Sequence, residues 1–184
     1  KQGTWREIQD KLVVPKNQLI ELTKGSLTLG NLIVEPFAVS HDAADPIGIN
    51  VFSGNDKATV VTDTGIISDD ILHRLDDSTL LVLEANYDPH MLRFGPYQPF
   101  LKQRVASDEG HLSNEMAAQA LLMMKRPDFM QVILAHRSEN NNNAVLVTQT
   151  IGKMLVDGGV RIGPEMKLQH GQPNEIVSMQ SVKR

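Results

Sequence analysis

The sequence predicts one α/β domain in which helices cover a mixed β-sheet. Residues 18–63 form short β-like runs separated by turn signals, and from residue 68 onward helical and strand-like runs alternate. The composition agrees, because 41 % hydrophobic and 22 % charged residues suit an ordinary globular protein. A length of 184 residues is enough for one domain with a sizeable core. We therefore expect a single domain over residues 1–184.

Composition also limits the chemistry. The chain has no Cys, so any metal must be held by His, Asp or Glu. No apolar run approaches the roughly 20 residues of a transmembrane helix, and we expect a cytoplasmic protein that does not enter a membrane. The net charge of −4 gives no basic footprint for stable nucleic-acid binding. Metal ions can still supply local positive charge to an enzyme that cuts polyanions.

The first part of the chain reads as a short helix followed by meandering strands. The pattern Thr4-x-x-Glu7 is typical of a capping box and predicts a helix to about Leu12, ended by Pro15. Gly-containing turns then separate strand-like runs. The predicted strands cover residues 19–22, 27–29, 32–39, 47–52 and 58–62.

The second part reads as alternating helices and buried strands. Helices are predicted over residues 68–75, 99–106, 113–125 and 143–156, with Ser68 and Ser113 as N-caps. Short apolar strands are predicted over residues 80–83 and 132–135. Residues 166–169 and 175–179 are expected to form a terminal hairpin across a His-Gly-Gln-Pro-Asn turn.

Four strand-like runs end in a residue that can bind metal or transfer protons. They are His41, Asp63, Glu84 and His136. Ligands collect where strands end, because a strand holds the side chain rigidly and the loop leaves its head accessible. Each residue alone has an ordinary interpretation: Asp63 precedes Thr-Gly and fits a turn, a lone His is more often a satisfied polar group, and Glu84 could accept backbone hydrogen bonds. Together they favour a metal site.

These residues lie in a specific set of motifs. The sequence has VSHDA at 39–43, VTDTG at 61–65, LEANYD at 83–88, GHLSNE at 110–115 and LAH at 134–136. In this order they resemble the YycJ/WalJ-like (VicX-like) family of metallo-β-lactamase-fold hydrolases, over residues 5–151. The resemblance implies an αββα sandwich with a dinuclear metal centre at one edge of its two sheets.

The resemblance also implies roles for particular residues. His41 and His136 would each bind one of two divalent ions, Zn or Mn, and Asp63 would bridge both. Glu84 and His111 would be catalytic, with the carboxylate orienting an imidazole that protonates the leaving oxygen. The rival interpretation of His111 is a loop residue beside the cap at Ser113. Gly110 is expected to let the substrate approach closely.

One expected motif is absent. The pattern His-x-His-x-Asp-His, which supplies four ligands in the superfamily, occurs nowhere in the sequence. Its usual place precedes residues 4–12, so we expect an incomplete domain whose N-terminal βα units lie elsewhere or are supplied by a partner chain. His73, His90 and His170 are expected at the surface and not as substitutes.

The function implied by the resemblance is metal-dependent phosphodiester hydrolysis with DNA as substrate, in its narrowest form a 5'-to-3' exonuclease. Another hydrolase of the same fold, acting on a thioester, lactone or β-lactam, is the enzyme alternative. The non-enzyme alternative is an inactive remnant that serves as a binding or regulatory subunit. Metal content of the purified chain discriminates between the enzyme and the remnant.

Overall fold

The computed structural model describes residues 1–20 and 25–178. It contains the helices α1 (Gln2–Ile8), α2 (Asp69–Leu75), α3 (Pro89–Phe94), α4 (Pro99–Val105), α5 (Asn114–Met123) and α6 (Ala144–Asp157), and a 3₁₀ turn at Lys16–Gln18. The strands are β1 (Leu27–Leu29), β2 (Leu32–Ala38), β3 (Ile47–Ser53), β4 (Asp56–Val61), β5 (Leu80–Glu84), β6 (Met130–Ala135) and β7 (Met166–His170). None of the described helices is long and apolar enough to span a membrane.

The strands form one seven-stranded sheet in sequence order. Strands β1 to β4 are an antiparallel meander, and β4 to β7 are parallel. Strand β2 runs in the same direction as β4, because two antiparallel steps separate them. The carboxyl ends of β2, β4, β5, β6 and β7 therefore meet at the same edge of the sheet, which we call the carboxyl edge.

One face of the sheet forms the core. Alternate residues of β5 and β6, such as Leu83 and Leu134, are fully buried and belong to one cluster with Leu121 of α5 and Ile151 of α6. Side chains return to the same face every two residues along a strand and about every four residues along a helix. These apolar side chains therefore all lie between the sheet and the helices. The core thus holds the parallel half of the sheet, and with it the carboxyl edge, as a rigid body.

The opposite face of the sheet is apolar and only partly buried. Ile49, Val60, Val82 and Ile133 lie side by side across four neighbouring strands. Val60 is 39 % exposed, and its three neighbours in this row are half-buried. The described residues therefore form a layer of helices on one face of a sheet whose other face remains partly open.

Most predicted elements match the structure within one or two residues, because their end signals are local. The side chains of Ser68, Ser113 and Asn143 accept hydrogen bonds from backbone N–H groups in the first turns of α2, α5 and α6. Strand β1 matches the predicted residues 27–29.

Other predictions were wrong. Helix α1 begins after Lys1, so Thr4 lies inside it and the Thr4–Glu7 capping box is not formed. This helix ends at Ile8, well before Pro15. The terminal hairpin is also wrong, since β7 pairs in parallel with β6 and residues 175–178 form no strand. The predicted strand at 19–22 and the hairpin residue 179 lie partly or wholly outside the described residues. Helix α3 had not been predicted.

Candidate metal and acid–base site

The sheet topology brings the predicted strand-end residues together at the carboxyl edge. Glu84 is the last residue of β5, His136 follows β6 directly, and Asp63 lies two residues beyond β4. His41 lies three residues beyond β2, and His111 is in the loop between α4 and α5. The ring centroid of His111 is 5.1 Å from that of His41 and 5.1 Å from that of His136.

Glu84 is the buried centre of this group. Its side chain has no exposed surface, and both of its carboxylate oxygens accept hydrogen bonds. Oε1 accepts from Nδ1 of His111 at 2.7 Å and from Nδ1 of His136 at 2.8 Å. Oε2 accepts from the backbone N–H of Thr64 at 3.1 Å. One carboxylate thus joins the loops that follow β4 and β6 to the loop that carries His111.

These hydrogen bonds decide the charge of the carboxylate. Burial raises the pKa of Glu84, but the hydrogen bonds from His111 and His136 outweigh it, and the pKa lies below its ordinary value. The hydrogen bond to Glu84 raises the pKa of His136 against the opposing effect of burial. At neutral pH Glu84 is therefore a carboxylate, whose two oxygens accept all three hydrogen bonds.

Anchoring at Nδ1 fixes which nitrogen each imidazole presents. The Nδ1–H of His41 donates to the carbonyl oxygen of Gly110 at 3.0 Å, and those of His111 and His136 donate to Glu84. Carbonyl and carboxylate oxygens only accept, so in each neutral ring Nδ1 carries the proton and Nε2 carries a lone pair. All three imidazoles consequently offer Nε2 as a metal ligand or a proton acceptor.

Asp63 lies between two of these nitrogens. Its Oδ1 is 3.7 Å from Nε2 of His41 and 3.7 Å from Nε2 of His136. Both separations are too long for a hydrogen bond. Two ligand atoms that share one tetrahedral zinc ion stand about 3.4 Å apart. The donor set therefore fits a carboxylate shared by two cations, one beside each histidine.

The described residues supply only part of such a centre. His41 and His136 with a shared Asp63 give each ion two protein ligands, whereas zinc sites normally have three or four. His111 also lies within reach, because its potential ligand atom is within 4.8 Å of those of His41 and Asp63. Glu84, His111 and His136 form a second such group. Glu84 is a poor ligand there, since its oxygens already accept three hydrogen bonds.

The backbone at two of the candidate ligands is in the left-handed region. Asp63 has φ of 56° and His136 has φ of 51°. Few residues other than Gly adopt such angles, and they persist where surrounding contacts hold them. The Nδ2 of Asn86 donates to the carbonyl oxygen of His136 at 2.8 Å, and the N–H beyond Asp63 is the one that Glu84 accepts. Hydrogen bonds thus hold both turns in place.

A buried pair of asparagines joins two of the segments that carry the site. Nδ2 of Asn142 donates to Oδ1 of Asn114 at 2.8 Å, and Nδ2 of Asn114 donates back to Oδ1 of Asn142 at 3.1 Å. Asn142 also donates to the carbonyl oxygen of Ala85 at 3.0 Å. This pair ties the start of α5, and with it the loop of His111, to the end of β5. Sequence reasoning assigned Asn142 no structural role, because a run of Asn gives no local signal of burial.

Gly110 has a packing role that the sequence did not indicate. A Cβ at Gly110 would lie 2.2 Å from the carbonyl oxygen of Arg104 and 2.4 Å from that of Val105. The glycine therefore allows two segments of this chain to pack closely, and its own carbonyl oxygen accepts from His41. The close approach that the structure shows at Gly110 is one between segments of protein backbone, and the approach of a substrate there stays a prediction.

The remaining histidines lie apart from this cluster. His73 is 77 % exposed and His90 is exposed, as predicted. His170 had been expected in a surface turn, yet it is the half-buried last residue of β7. Its Nε2 is 2.9 Å from Oγ1 of Thr148, and burial lowers its pKa. The difference follows from the parallel pairing of β7, which the hairpin prediction missed.

Comparison with known proteins gives consistent matches. A family model described as "Beta-lactamase superfamily domain" matches residues 2–136. The chain is 32 % identical over 181 residues to the protein named exodeoxyribonuclease YycJ of Bacillus anthracis, a match that covers 97 % of this chain and 69 % of that protein.

Solved structures show the same fold. The metallo-beta-lactamase fold protein YhfI from Bacillus subtilis has a TM-score of 0.60 and 13 % identity, and the match covers 89 % of this chain and 58 % of that one. Zn²⁺-bound PqqB from Methylobacterium extorquens has a TM-score of 0.53 and 15 % identity, and the match covers 82 % of this chain and 49 % of that one. The chain thus spans only part of each relative, and the predicted metallo-β-lactamase fold is confirmed.

Replacing Glu84 by Gln tests the carboxylate as the common acceptor. An amide has one accepting atom, so at least one of the three donors loses its partner inside the protein. We expect Glu84→Gln to lower the free energy of unfolding by about 1–3 kcal/mol, the cost of a buried unsatisfied group. Glu35→Gln, at a carboxylate that is 39 % exposed, is the matched control. Equal stability of both variants in urea denaturation would contradict the role of Glu84.

Replacing Gly110 by Ala tests the close packing of the His111 loop. The added methyl group overlaps two carbonyl oxygens, so we expect a loss of about 1–3 kcal/mol in the free energy of unfolding. Gly152→Ala is the control, because its Cβ would find its nearest neighbour at 3.8 Å inside α6. That change should stabilise the helix by up to about 1 kcal/mol. Thermal unfolding of the two variants should thus shift in opposite directions.

Proposed function

We propose that this chain acts as a metal-dependent phosphodiesterase on DNA. The proposal starts from the finding that the chain belongs to the beta-lactamase superfamily and to its YycJ/WalJ-like family. Membership makes it a hydrolase of the metallo-β-lactamase fold, a class that uses divalent metals. The substrate, the reaction at phosphorus and the metal, Zn or Mn, are our proposals. In its narrowest form the activity is that of a 5'-to-3' exonuclease.

One observation carries the proposal. Three imidazoles have Nδ1 anchored by an acceptor, and two of their Nε2 atoms lie at the same distance from one oxygen of Asp63. A structural cluster of polar residues would satisfy all of its donors and acceptors internally. Here the lone pairs converge instead on a half-exposed carboxylate, as a preformed site for cations requires.

His41, Asp63 and His136 would hold the ions, with Asp63 shared between them. Divalent ions in such a position lower the pKa of bound water and neutralise the charge of a phosphate. The side chains of Asp63 and His136 are 43 % and 42 % exposed, so a substrate can reach them from solvent. His41 is only 12 % exposed, and its hydrogen bond to Gly110 fixes its ring.

His111 would protonate the leaving oxygen. Its Nδ1–H donates to Glu84, which fixes the tautomer and the orientation of the ring. The remaining Nε2 faces the same edge as the ligands and is able to carry the transferred proton. Phosphodiester cleavage expels an alkoxide, which needs such an acid. This need disfavours a thioester as substrate, because a thiolate departs without protonation, and the similarity to a protein named exodeoxyribonuclease favours the phosphodiester over a lactone or a β-lactam.

Asp63→Asn tests the metal site without disturbing its backbone, because Asn also tolerates positive φ. We expect metal affinity and metal-dependent cleavage of single-stranded DNA to fall by at least about a hundredfold, since even residues behind the ligands are worth 10–100-fold. The matched control is Asp77→Asn, at a surface Asp with φ of 57°. Metal content by mass spectrometry and cleavage by gel assay are the measurements. Unchanged metal content in Asp63→Asn would refute the site, and the absence of metal from the unaltered chain at any metal concentration would favour an inactive remnant.

His111→Gln tests the acid through the leaving group. Cleavage of DNA should fall by about 10²–10⁴-fold, the usual worth of a general acid. Cleavage of bis-p-nitrophenyl phosphate should fall far less, because its leaving group departs without protonation. His90→Gln, at an exposed position, is the control. An equal loss on both substrates would show that His111 acts by binding metal or substrate and not as the acid.

A further inference from the structure

The segment that carries α3 and α4 exposes two phenylalanines. Phe94 is 67 % exposed and Phe100 is 71 % exposed, whereas every other Phe, Tyr and Trp in the described part of the chain is buried or half-buried. The small core of this segment does not use the two rings, because Leu92 and Leu101 supply the inward-facing side chains of α3 and α4. Both rings are thus free to contact a partner.

Two cations lie beside these rings. Cζ of Arg93 is 5.3 Å from the centre of the Phe94 ring. Nζ of Lys102 donates to the carbonyl oxygen of Arg93 at 2.8 Å, which brings α4 against the end of α3. Neither cation forms an ion pair with a carboxylate of the described residues. The segment therefore carries uncompensated positive charge next to exposed aromatic surface.

This positive charge is local. The chain has a net charge of −4, yet no acidic residue occurs between Asp88 and Asp108, its longest stretch without one. Arg104 in the same stretch adds little, because its guanidinium is paired with the carboxylate of Asp42. Positive charge attracts an anionic polymer, and exposed rings offer faces on which bases can stack. These are the two elements by which proteins bind single-stranded nucleic acid.

The same surface leads to the candidate metal site. Tyr97, which lies between the two phenylalanines in sequence, lines a cavity together with His111 and His136. Arg104 also lines this cavity, and it follows Phe100 by about one turn on α4. A strand that lies on the exposed rings therefore has a short path to the candidate ligands and acid. This continuity favours DNA over a protein as the occupant of the surface.

We propose that Phe94 and Phe100 form a stacking platform for unpaired bases of the DNA substrate, with Arg93 and Lys102 supplying positive charge for its backbone. This inference rests on the proposed phosphodiesterase function and adds to it the class of DNA, a single strand or an unpaired end. The bases of an intact duplex are stacked on one another and cannot lie on the rings. Every base has a flat π face, so the platform selects for unpaired bases and not for sequence.

One labelled strand measures both binding and stacking. The probe is decathymidylate with a fluorescein at its 3' end and one 5-iodouracil, titrated into the full chain in EDTA so that no metal-dependent cleavage occurs. Fluorescence anisotropy gives the dissociation constant. On irradiation, 5-iodouracil forms a covalent bond with an aromatic side chain stacked on it, and mass spectrometry identifies that residue. The same strand annealed to its complement is the blunt duplex control.

The variants separate stacking from general apolar contact. Phe94→Leu and Phe100→Leu keep an apolar side chain and remove the aromatic face, whereas Phe100→Tyr keeps the face. The matched control is Met123→Leu, at an apolar side chain that is also 67 % exposed but lies at the opposite end of α5 from the His111 loop. Arg93→Gln removes one of the two charges. Thermal unfolding shows that each variant is folded.

We expect Phe94→Leu and Phe100→Leu each to weaken binding of the single strand by about tenfold. Phe100→Tyr and Met123→Leu should bind it as the unaltered protein does. Arg93→Gln should reduce the salt dependence of binding by about one phosphate contact. The duplex should bind more weakly than the strand, with no further loss in the variants that lack a ring. The crosslink should form at Phe94 or Phe100.

Unchanged affinity for the strand in both Phe94→Leu and Phe100→Leu, a crosslink at other residues only, or no binding of the strand to the unaltered protein would overturn the platform. A duplex that binds as tightly as the strand, and loses as much affinity in these variants, would overturn it too.

The proposed catalytic function fails separately. If the strand binds through the two rings but is never cleaved with Zn or Mn, the platform stands and the phosphodiesterase does not. If the strand is cleaved but Phe94→Leu and Phe100→Leu bind and cleave it as the unaltered protein does, the phosphodiesterase stands and the platform does not.

Discussion

The carboxylate of Glu84 is the interaction on which the rest of the site depends. It is fully buried, and its hydrogen bonds reach His111, His136 and the turn beyond Asp63. Three loops that are far apart in sequence thereby share one acceptor. Each loop alone would have many conformations, and the common acceptor selects the one in which the imidazole Nε2 atoms converge.

The direction of the strands explains why those loops meet at all. The antiparallel meander returns β2 to the direction of β4, and the parallel half continues it through β7. Residues that follow these strands must therefore lie along one edge. The helical core beneath the parallel half keeps this edge rigid, so the distances between His41, Asp63 and His136 are set by backbone packing and not by flexible side chains alone.

Local sequence patterns were sufficient to predict the strands and the polar residues at their ends. His41, Asp63, Glu84 and His136 could be found because an apolar run followed by a polar residue is a contiguous signal. The contacts between loops could not be found in this way. Nothing near Gly110 in sequence shows that it packs against the carbonyl of Arg104, and nothing near Arg137 shows that its buried Nη1 has no partner among the described residues. The end of the chain was misread because hairpin signals say nothing about parallel pairing.

The left-handed backbone at Asp63 and His136 has a consequence for how this site can change over evolutionary time. Asp, His and Asn are among the few residues apart from Gly that accept such angles readily. The backbone angles at these two positions and the proposed binding of metal there therefore restrict them to the same few residue types. Exchange for Asn keeps the fold and removes the charge or the imidazole. If the proposed metal site is correct, a descendant that had lost it in this way would retain the same architecture.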